Sequence, residues 1–302
     1  MSDTRVTING RRHYICGGVP KPLPSVTSVL SATATEATRQ KLAHWNLMNP
    51  GVADAAAERG NWIHNSVENY LRGLRVIPPD NYLPFWDGVP ELLDDLLEGG
   101  RVLWSEKPFN QPSWSDYVGD DGVGRIHYYD ENTGYGYAGC CDLIYMNSNA
   151  EIILADFKTS NGPYSARFPN KKNNLDEKTK KALISGVFKT KKTRLQLAAY
   201  KAAAEACLGI KIEKTQIIVT TAIKEYNTQI FTFGPNEVEK DQEAWFQVVA
   251  DYYESGKQLE KLRLSSAQLL LERSLYCFLI RFSKNHGILK DTEEHHALYL
   301  FS

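Results

Sequence analysis

The chain has 302 residues, 42% of them hydrophobic and 24% charged, with 21 Gly and 13 Pro spread along it; this is the composition of a folded globular protein and excludes a disordered or collagenous one. Lys and Arg number 35 against 36 Asp and Glu, a formal charge of −1, so a nucleic acid or membrane partner has to be met by a local patch rather than a global field. Five cysteines (16, 140, 141, 207 and 277), an odd number with no C-x-x-C, argue against a disulfide framework and a standard zinc site.

No run approaches the roughly 18 apolar residues of a membrane helix, and Met1-Ser2-Asp3-Thr4-Arg5 is not a basic segment leading into an apolar one. The expectation is a cytoplasmic protein with no membrane partner. In chain order, Arg5–Ile8, Asn9-Gly10 and Arg11–Ile15 read as a hairpin, because Asn-Gly supplies the positive φ of a type I′ turn. Ser25 or Thr27 then caps a helical region running to about Asn46. Val52–Leu74 is helical with Ile63, Val67, Tyr70 and Leu71 on one face, and Gly60 interrupts it without evident scaffold reason. A helix follows over Trp86–Leu97, then strands over Val102–Trp104, Ile126–Tyr129, Cys141–Met146 and Ile152–Phe157. A polar segment leads to a helix from about Arg194 to Cys207, then strands Thr215–Thr221 and Thr228–Phe233. Helices near Asn236–Leu262 and Ser265–Phe282, the latter with a Ser265/Gln268 capping box, and a loose tail from Asp291 end the chain.

The sharpest chemical feature is Gly139-Cys140-Cys141-Asp142 followed by Ile152–Phe157-Lys158-Thr159-Ser160. Side chains alternate along a strand, so Asp156 and Lys158 share a face, and Asp142 on the neighbouring strand can join them. Carboxylates in that position suit Mg²⁺ or Mn²⁺, and the ammonium of Lys158 can orient or help deprotonate a water and offset charge on a phosphorane. An Asp-x-Lys pair can equally be a solvated strand face with a weak ion pair. The apolar run Ile152–Leu154 marks a buried strand, and charges at its end point to a sheet edge or a site.

These residues, with Arg59-Gly60-Asn61-Trp62-Ile63-His64 and Gln196-Leu197-Ala198-Ala199-Tyr200, resemble the RecB-type branch of the PD-(D/E)XK nucleases. Leu23-Pro24-Ser25-Val26-Thr27 resembles the group containing the mitochondrial genome maintenance exonuclease and phage-encoded exonucleases. The resemblance runs in order over about residues 23 to 200. It implies a restriction-endonuclease-like α/β fold, a mixed central sheet flanked by helices, with a helical N-terminal region carrying the His motif (1–100), a nuclease core (101–235) and C-terminal helices (236–302). It also implies that Asp142, Asp156, the Phe157 carbonyl and His64 hold the metal, that Lys158 is the catalytic lysine, and that Gln196 and Tyr200 support the site. Gln196 and Tyr200 lie i and i+4 on one helix face, which also suits a buried tyrosine; His64 alone also suits a partly buried histidine. Only two cysteines follow the site, so no iron–sulfur cluster is expected, and Cys141-Asp142 stands where the superfamily has Pro-Asp. No helicase P-loop is present.

Between the presumed strand and the Gln196 helix, residues 171–194 hold nine Lys or Arg against Asp176 and Glu177, a balance of +7. Such a run is often a solvated face; bridging two site elements, it suits phosphate tracking. The candidate nucleic-acid contacts are Ser25, Thr27, Thr159, Ser160, Lys178, Lys180, Lys181, Lys189, Lys191, Lys192 and Arg194. Trp45, Trp62, Trp104 and Trp114 either stack on bases or fill the core. The reading is a Mg²⁺- or Mn²⁺-dependent DNA exonuclease acting on single-stranded ends in replication, recombination or repair, with proteins of those processes as partners and a bacterial host cytoplasm as its setting if phage-encoded. The alternatives are a structure-specific endonuclease and a noncatalytic DNA-end-binding protein.

Overall fold

Asn9 and Gly10, at φ of 51° and 72°, close the turn between β1 (Thr4–Ile8) and β2 (Arg11–Ile15), as the Asn-Gly pair predicts. The structure, a computed structural model, describes residues 4–170 and 175–258. A short β3 (Leu23–Pro24) pairs with β2, and Ser25 caps α1 (Val26–Ala32) by accepting the Ser28 N–H. The helical region expected to reach Asn46 is divided. Thr35 starts a second cap and α2 (Glu36–Met48) follows, with none of its residues buried.

α3 (Val52–Leu71) matches the expected helix. The helix expected over Trp86–Leu97 is instead α4 (Leu83–Trp86) and α5 (Val89–Leu97), because Gly88 turns the chain at φ 83°, a region closed to most side chains. β4 (Arg101–Ser105) and β5 (Lys107–Pro108) come next, then a 3₁₀ turn at Pro112–Tyr117. β6 (Ile126–Asp130) and β7 (Tyr135–Gly139) pair as a separate ribbon, outside the central sheet. β8 (Leu143–Met146), β9 (Ile152–Ser160), a long α6 (Glu177–Leu208), β10 (Lys214–Thr221) and β11 (Thr228–Phe233) follow, and residues 235–250 are helical.

The central sheet has the order β11-β10-β9-β8-β4-β5; β9 and β10 run parallel, joined through α6, and the other pairs are antiparallel. This is a mixed α/β fold, as expected. One sheet face presents Leu143, Tyr145, Ile153, Ala155, Phe157 and Ile218 to Ile63 and Val67 of α3, Phe85 and Trp86 of α4, and Val89 and Leu93 of α5. Each large apolar side chain buried there contributes about 1.5–3 kcal/mol. By strand alternation the next residues, Leu154, Asp156, Lys158 and Ser160, look the other way, toward the α6 layer.

The polar connection expected before Arg194 is corrected: the described part of it from Glu177 is the first half of α6. Small or apolar residues hidden in the basic run, Gly186, Val187, Thr190, Thr193 and Leu197, recur at three- and four-residue spacing and are buried. At Gly186 the helix passes so close to the loop after β9 that a Cβ would lie 2.5 Å from the Pro163 carbonyl oxygen. Asp176 caps the start, and Gly209, at φ 64°, ends the helix.

The chain divides into one unit, Met1–Ala250, and a second, Asp251–Ser302, and the boundaries expected at 100 and 235 both lie inside the first. In the second unit residues 251–258 are helical. The remainder of the Asn236–Leu262 helix, the Ser265–Phe282 helix with its capping box, the tail from Asp291, and Lys171 and Lys172 lie outside the described residues. Among the described residues no helix is long and apolar enough to cross a membrane.

Candidate active site

The β8–β9 register pairs Leu143 with Ala155, so the next step sets Asp142 opposite Asp156. Asp142 lies just before β8, and one of its oxygens (Oδ2) accepts the Phe157 N–H at 2.8 Å. Its other oxygen meets His64 Nδ1 of α3 at 3.3 Å. Lys158 Nζ contacts Asp156 Oδ2, the i, i+2 relation expected from strand alternation. Asp156 is only 1% exposed, and its Oδ1 has no hydrogen-bond partner among the described residues.

The charges of this group fix one another's protonation. Burial pushes Asp156 up to about 6; the Lys158 ammonium opposes that, and the negative Asp142 adds to it. Burial also works on Asp142, but His64, Lys158 and the Phe157 N–H outweigh it and hold its carboxyl below the usual range. His64 and Lys158, each disfavoured as cations by burial, are raised above their ordinary values by the two carboxylates. At neutral pH Lys158 is therefore an ammonium ion, suited to holding negative charge rather than taking a proton.

On the α6 side, Gln196 Nε2 donates to Tyr200 Oη at 3.0 Å, so the helical pair is joined to itself. Tyr200 is buried, which raises its hydroxyl pKa well above the usual value, with Asp156 and Asp142 adding to the effect. Gly139 is required here: a Cβ on it would lie 2.6 Å from Tyr200 Cε1. Lys189, Thr193, Gln196 and Tyr200 follow at helical spacing on one stripe of α6. Lys189 Nζ donates to Ser160 Oγ at 2.8 Å and lies over the Tyr164 ring at 5.7 Å, and burial lowers its pKa.

The other expected nucleic-acid contacts are dispersed. Lys178 falls on the Lys189 stripe and is exposed, whereas Lys180 falls on the opposite side and pairs with Glu177 at 3.0 Å. Lys181 and Lys192 are exposed at intermediate angles, and Lys191 lies over the ring of Phe168 at 5.4 Å. Arg194 is occupied by Asp241 at 2.7 Å and Glu237 at 3.8 Å. Ser25 is buried in its cap, Thr27 is exposed, and Thr159 Oγ1 faces Gly60, 3.8 Å from where a Cβ would stand. Trp62 packs on Tyr82 and Trp86, Trp104 is fully buried beside Trp114, and Trp45 is 44% exposed.

Two features escape the sequence reading. The β4–β8 register pairs Ser105 with Leu143, so Glu106 follows beside Asp142 and donates its N–H to the Asp142 carbonyl at 3.3 Å. Three acids, Glu106, Asp142 and Asp156, thus occupy adjoining ends of β4, β8 and β9. Burial raises the Glu106 pKa, and the Asp142 charge adds to this. The available signal was the same as for Asp156, an acid ending an apolar strand. The second feature is Phe168 and Phe188, more than half exposed and 5.9 Å apart edge to face beside Lys191.

Among the described residues no three His, Cys, Asp or Glu side chains group closely enough to hold an ion by themselves. No family model and no curated protein matches the chain. Among solved structures it is similar to SSO0001, at 15% identity and a TM-score of 0.32, covering 76% of this chain and 74% of that one. It is also similar to a protein of Eubacterium rectale named provisionally as an exonuclease, at 11% identity and a TM-score of 0.31, covering 66% and 67%. At these values neither likeness bears on what this chain does.

Proposed function

We propose that the chain is a metal-dependent deoxyribonuclease of the RecB-like PD-(D/E)XK type, acting as an exonuclease on single-stranded DNA ends. The observation that carries this reading is Asp156, a buried carboxylate with an unpartnered oxygen, set against Lys158 and opposite Asp142. A buried carboxylate with one oxygen left without a hydrogen bond at the end of a buried strand is costly, and functional sites are where such costs recur.

The residues fit Mg²⁺ or Mn²⁺. Asp156 Oδ1 is available, Asp142 adds oxygen of the hard kind, and a hexacoordinate ion that keeps waters and takes a substrate phosphate needs only one or two carboxylates. Asp142, Asp156 and the Phe157 carbonyl would hold it, with His64 keeping Nε2 for the same purpose while Nδ1 faces Asp142. Bound there, the ion would polarise the phosphoryl oxygen and acidify a water.

The chain's own residues do the rest. Lys158, a fixed ammonium, orients the attacking water and stabilises the charge that grows on the phosphoryl oxygens. His64 fixes the Asp142 carboxylate, and the Gln196–Tyr200 pair walls the site from α6. Lys189, anchored by Ser160, supplies positive charge at the mouth, and Phe168 with Phe188 offers an aromatic face for unpaired bases. No iron–sulfur cluster enters the proposal, and replication or recombination proteins would supply opened strands.

The test is 5′- and 3′-labelled linear DNA, single- and double-stranded, beside circular single strands, with Mg²⁺. Cleavage of linear single strands with circles spared is expected. Equal cutting of circles would replace the exonuclease with an endonuclease, and no Mg²⁺-dependent cleavage of any substrate would remove the reading.

A further inference from the structure

The hairpin and α1 border an open surface cavity of about 320 Å³ that the proposed catalytic group does not use. Arg5, Arg11 and Arg12 line it from the hairpin, and Thr27, Ser28 and Ser31 from the helix. All three arginines are exposed, and among the described residues none is ion-paired with a carboxylate. Arg5 and Arg12 share one face of the hairpin by strand alternation, Arg12 also bonding the Tyr14 hydroxyl, and Arg11 lines the rim beside the turn; three cationic residues with no carboxylate partner among the described residues suit an anion.

The walls are fixed before any ligand arrives. Ser28 Oγ donates to the Arg12 carbonyl at 3.0 Å and the Ser25 N–H donates to the same carbonyl at 2.9 Å, tying helix to hairpin. Ser31 donates to the Ser28 carbonyl at 3.3 Å. Among the described residues the exposed Thr27 hydroxyl bonds only to Ser25 Oγ, at 3.0 Å, and can turn toward a ligand. The donors left for recognition are therefore mainly the guanidinium N–H groups of Arg5 and Arg11 and those of Arg12 that do not bond Tyr14, and guanidinium N–H pairs match the oxygens of phosphate.

The helix wall of the cavity also packs against β7, the strand that leads into Asp142. Val26, beside Thr27, would be 3.4 Å from a Cβ on Gly139, and Ser25 bridges to Ala138. Asp142 follows Gly139 by three residues, a span of at most about 11 Å. We propose that this cavity is a phosphate-binding site that grips the nucleic-acid strand next to the phosphodiester cut at Asp142 and Asp156. Its assignment to a nucleic-acid strand rests on the nuclease reading; its affinity for phosphate does not. The phosphate is either a terminal monoester or an internal diester.

The test uses the full chain in EDTA, so that binding is read without cleavage, and a fluorescein-labelled single-stranded oligonucleotide followed by anisotropy. Arg5→Gln/Arg11→Gln/Arg12→Gln is compared with a charge-matched variant, Lys211→Gln/Lys224→Gln/Lys240→Gln, at exposed positions elsewhere. The arginine variant is expected to bind at least tenfold more weakly, with its log–log salt slope flattened by about 2, and the control to match wild type. Matched melting temperatures of the two variants show that the loss is not misfolding. A preference of the wild type for 5′- or 3′-phosphorylated over hydroxyl ends that is lost in the arginine variant assigns the site to a terminal monoester. Equal binding of all ends assigns it to internal diesters. If no oligonucleotide binds, but inorganic pyrophosphate raises the melting temperature of the wild type and not of the arginine variant, the phosphate site stands and the nuclease reading falls. Affinity and salt slope unchanged in the arginine variant, with no pyrophosphate effect in either protein, would overturn the proposal, as would an acidic peptide competing where pyrophosphate does not.

Discussion

Asp156 has a measurable signature before any catalysis. Burial raises its pKa from 3.8 to about 6, so the folded chain holds this proton more tightly than the unfolded one. The sign follows: the group costs nothing below pH 4, and folding stability falls as pH rises from about 4 through 6 and stays reduced above that. The difference amounts to about 3 kcal/mol at most. Asp142 and His64, shifted in the opposite sense relative to their charged forms, favour folding when ionised and contribute slopes of their own, so the comparison must be differential. Urea unfolding in EDTA from pH 4 to 7 is expected to show wild type losing stability relative to Asp156→Asn across that window. At pH 7 added Mg²⁺ should stabilise wild type and leave Asp156→Asn unmoved. Parallel pH profiles of the two proteins would place the proton elsewhere.

Elements carry two further expectations. Gly60 lies inside α3, where Gly costs about 1 kcal/mol relative to Ala, and a Cβ there would meet Thr159 Oγ1 at an ordinary 3.8 Å. Packing does not require the glycine. Gly60→Ala should raise stability by roughly 0.5–1 kcal/mol in a denaturant titration, and lowered turnover in that stabler protein would show that the space between α3 and β9 is kept open for substrate. α6 sorts its lysines by angle. Lys189→Gln, on the Tyr200 stripe and bonded to Ser160, should weaken single-strand binding and turnover severalfold, whereas Lys180→Gln, on the far side and paired with Glu177, should change neither. Equal losses from both would mean that the strand tracks the whole helix surface.

At the scale of the whole molecule, legibility followed the range of the determining interactions. The Asn9-Gly10 turn and the Asp156–Lys158 face rest on neighbours within four residues and were readable, and so was the cap, as Ser25 or Thr27, of which Ser25 is the one used. The sequence put Asp142 on the strand next to Asp156 and Lys158; the register that sets it opposite Asp156 comes from the pairing of β8 with β9. Glu106 was not readable, because its place beside Asp142 depends on β4 pairing with β8 across about forty residues of sequence. The helical state of the basic run was missed because charge masked the buried spacing of Gly186, Thr190, Thr193 and Leu197. β6 reads as a sheet strand from its own residues, and only its partner β7 sets it apart in a ribbon.

Turnover of an end-labelled single-stranded oligonucleotide with Mg²⁺, by wild type and Lys158→Ala side by side, tests the catalytic assignment most directly. Lys158 is about a quarter exposed at a strand end, so its removal should leave folding and oligonucleotide binding intact. The expected result is Mg²⁺-dependent cleavage by wild type and a loss of about a hundredfold or more in kcat for the variant, the scale of removing one preorganised stabiliser of transition-state charge. Cleavage by Lys158→Ala at the wild-type rate would contradict it.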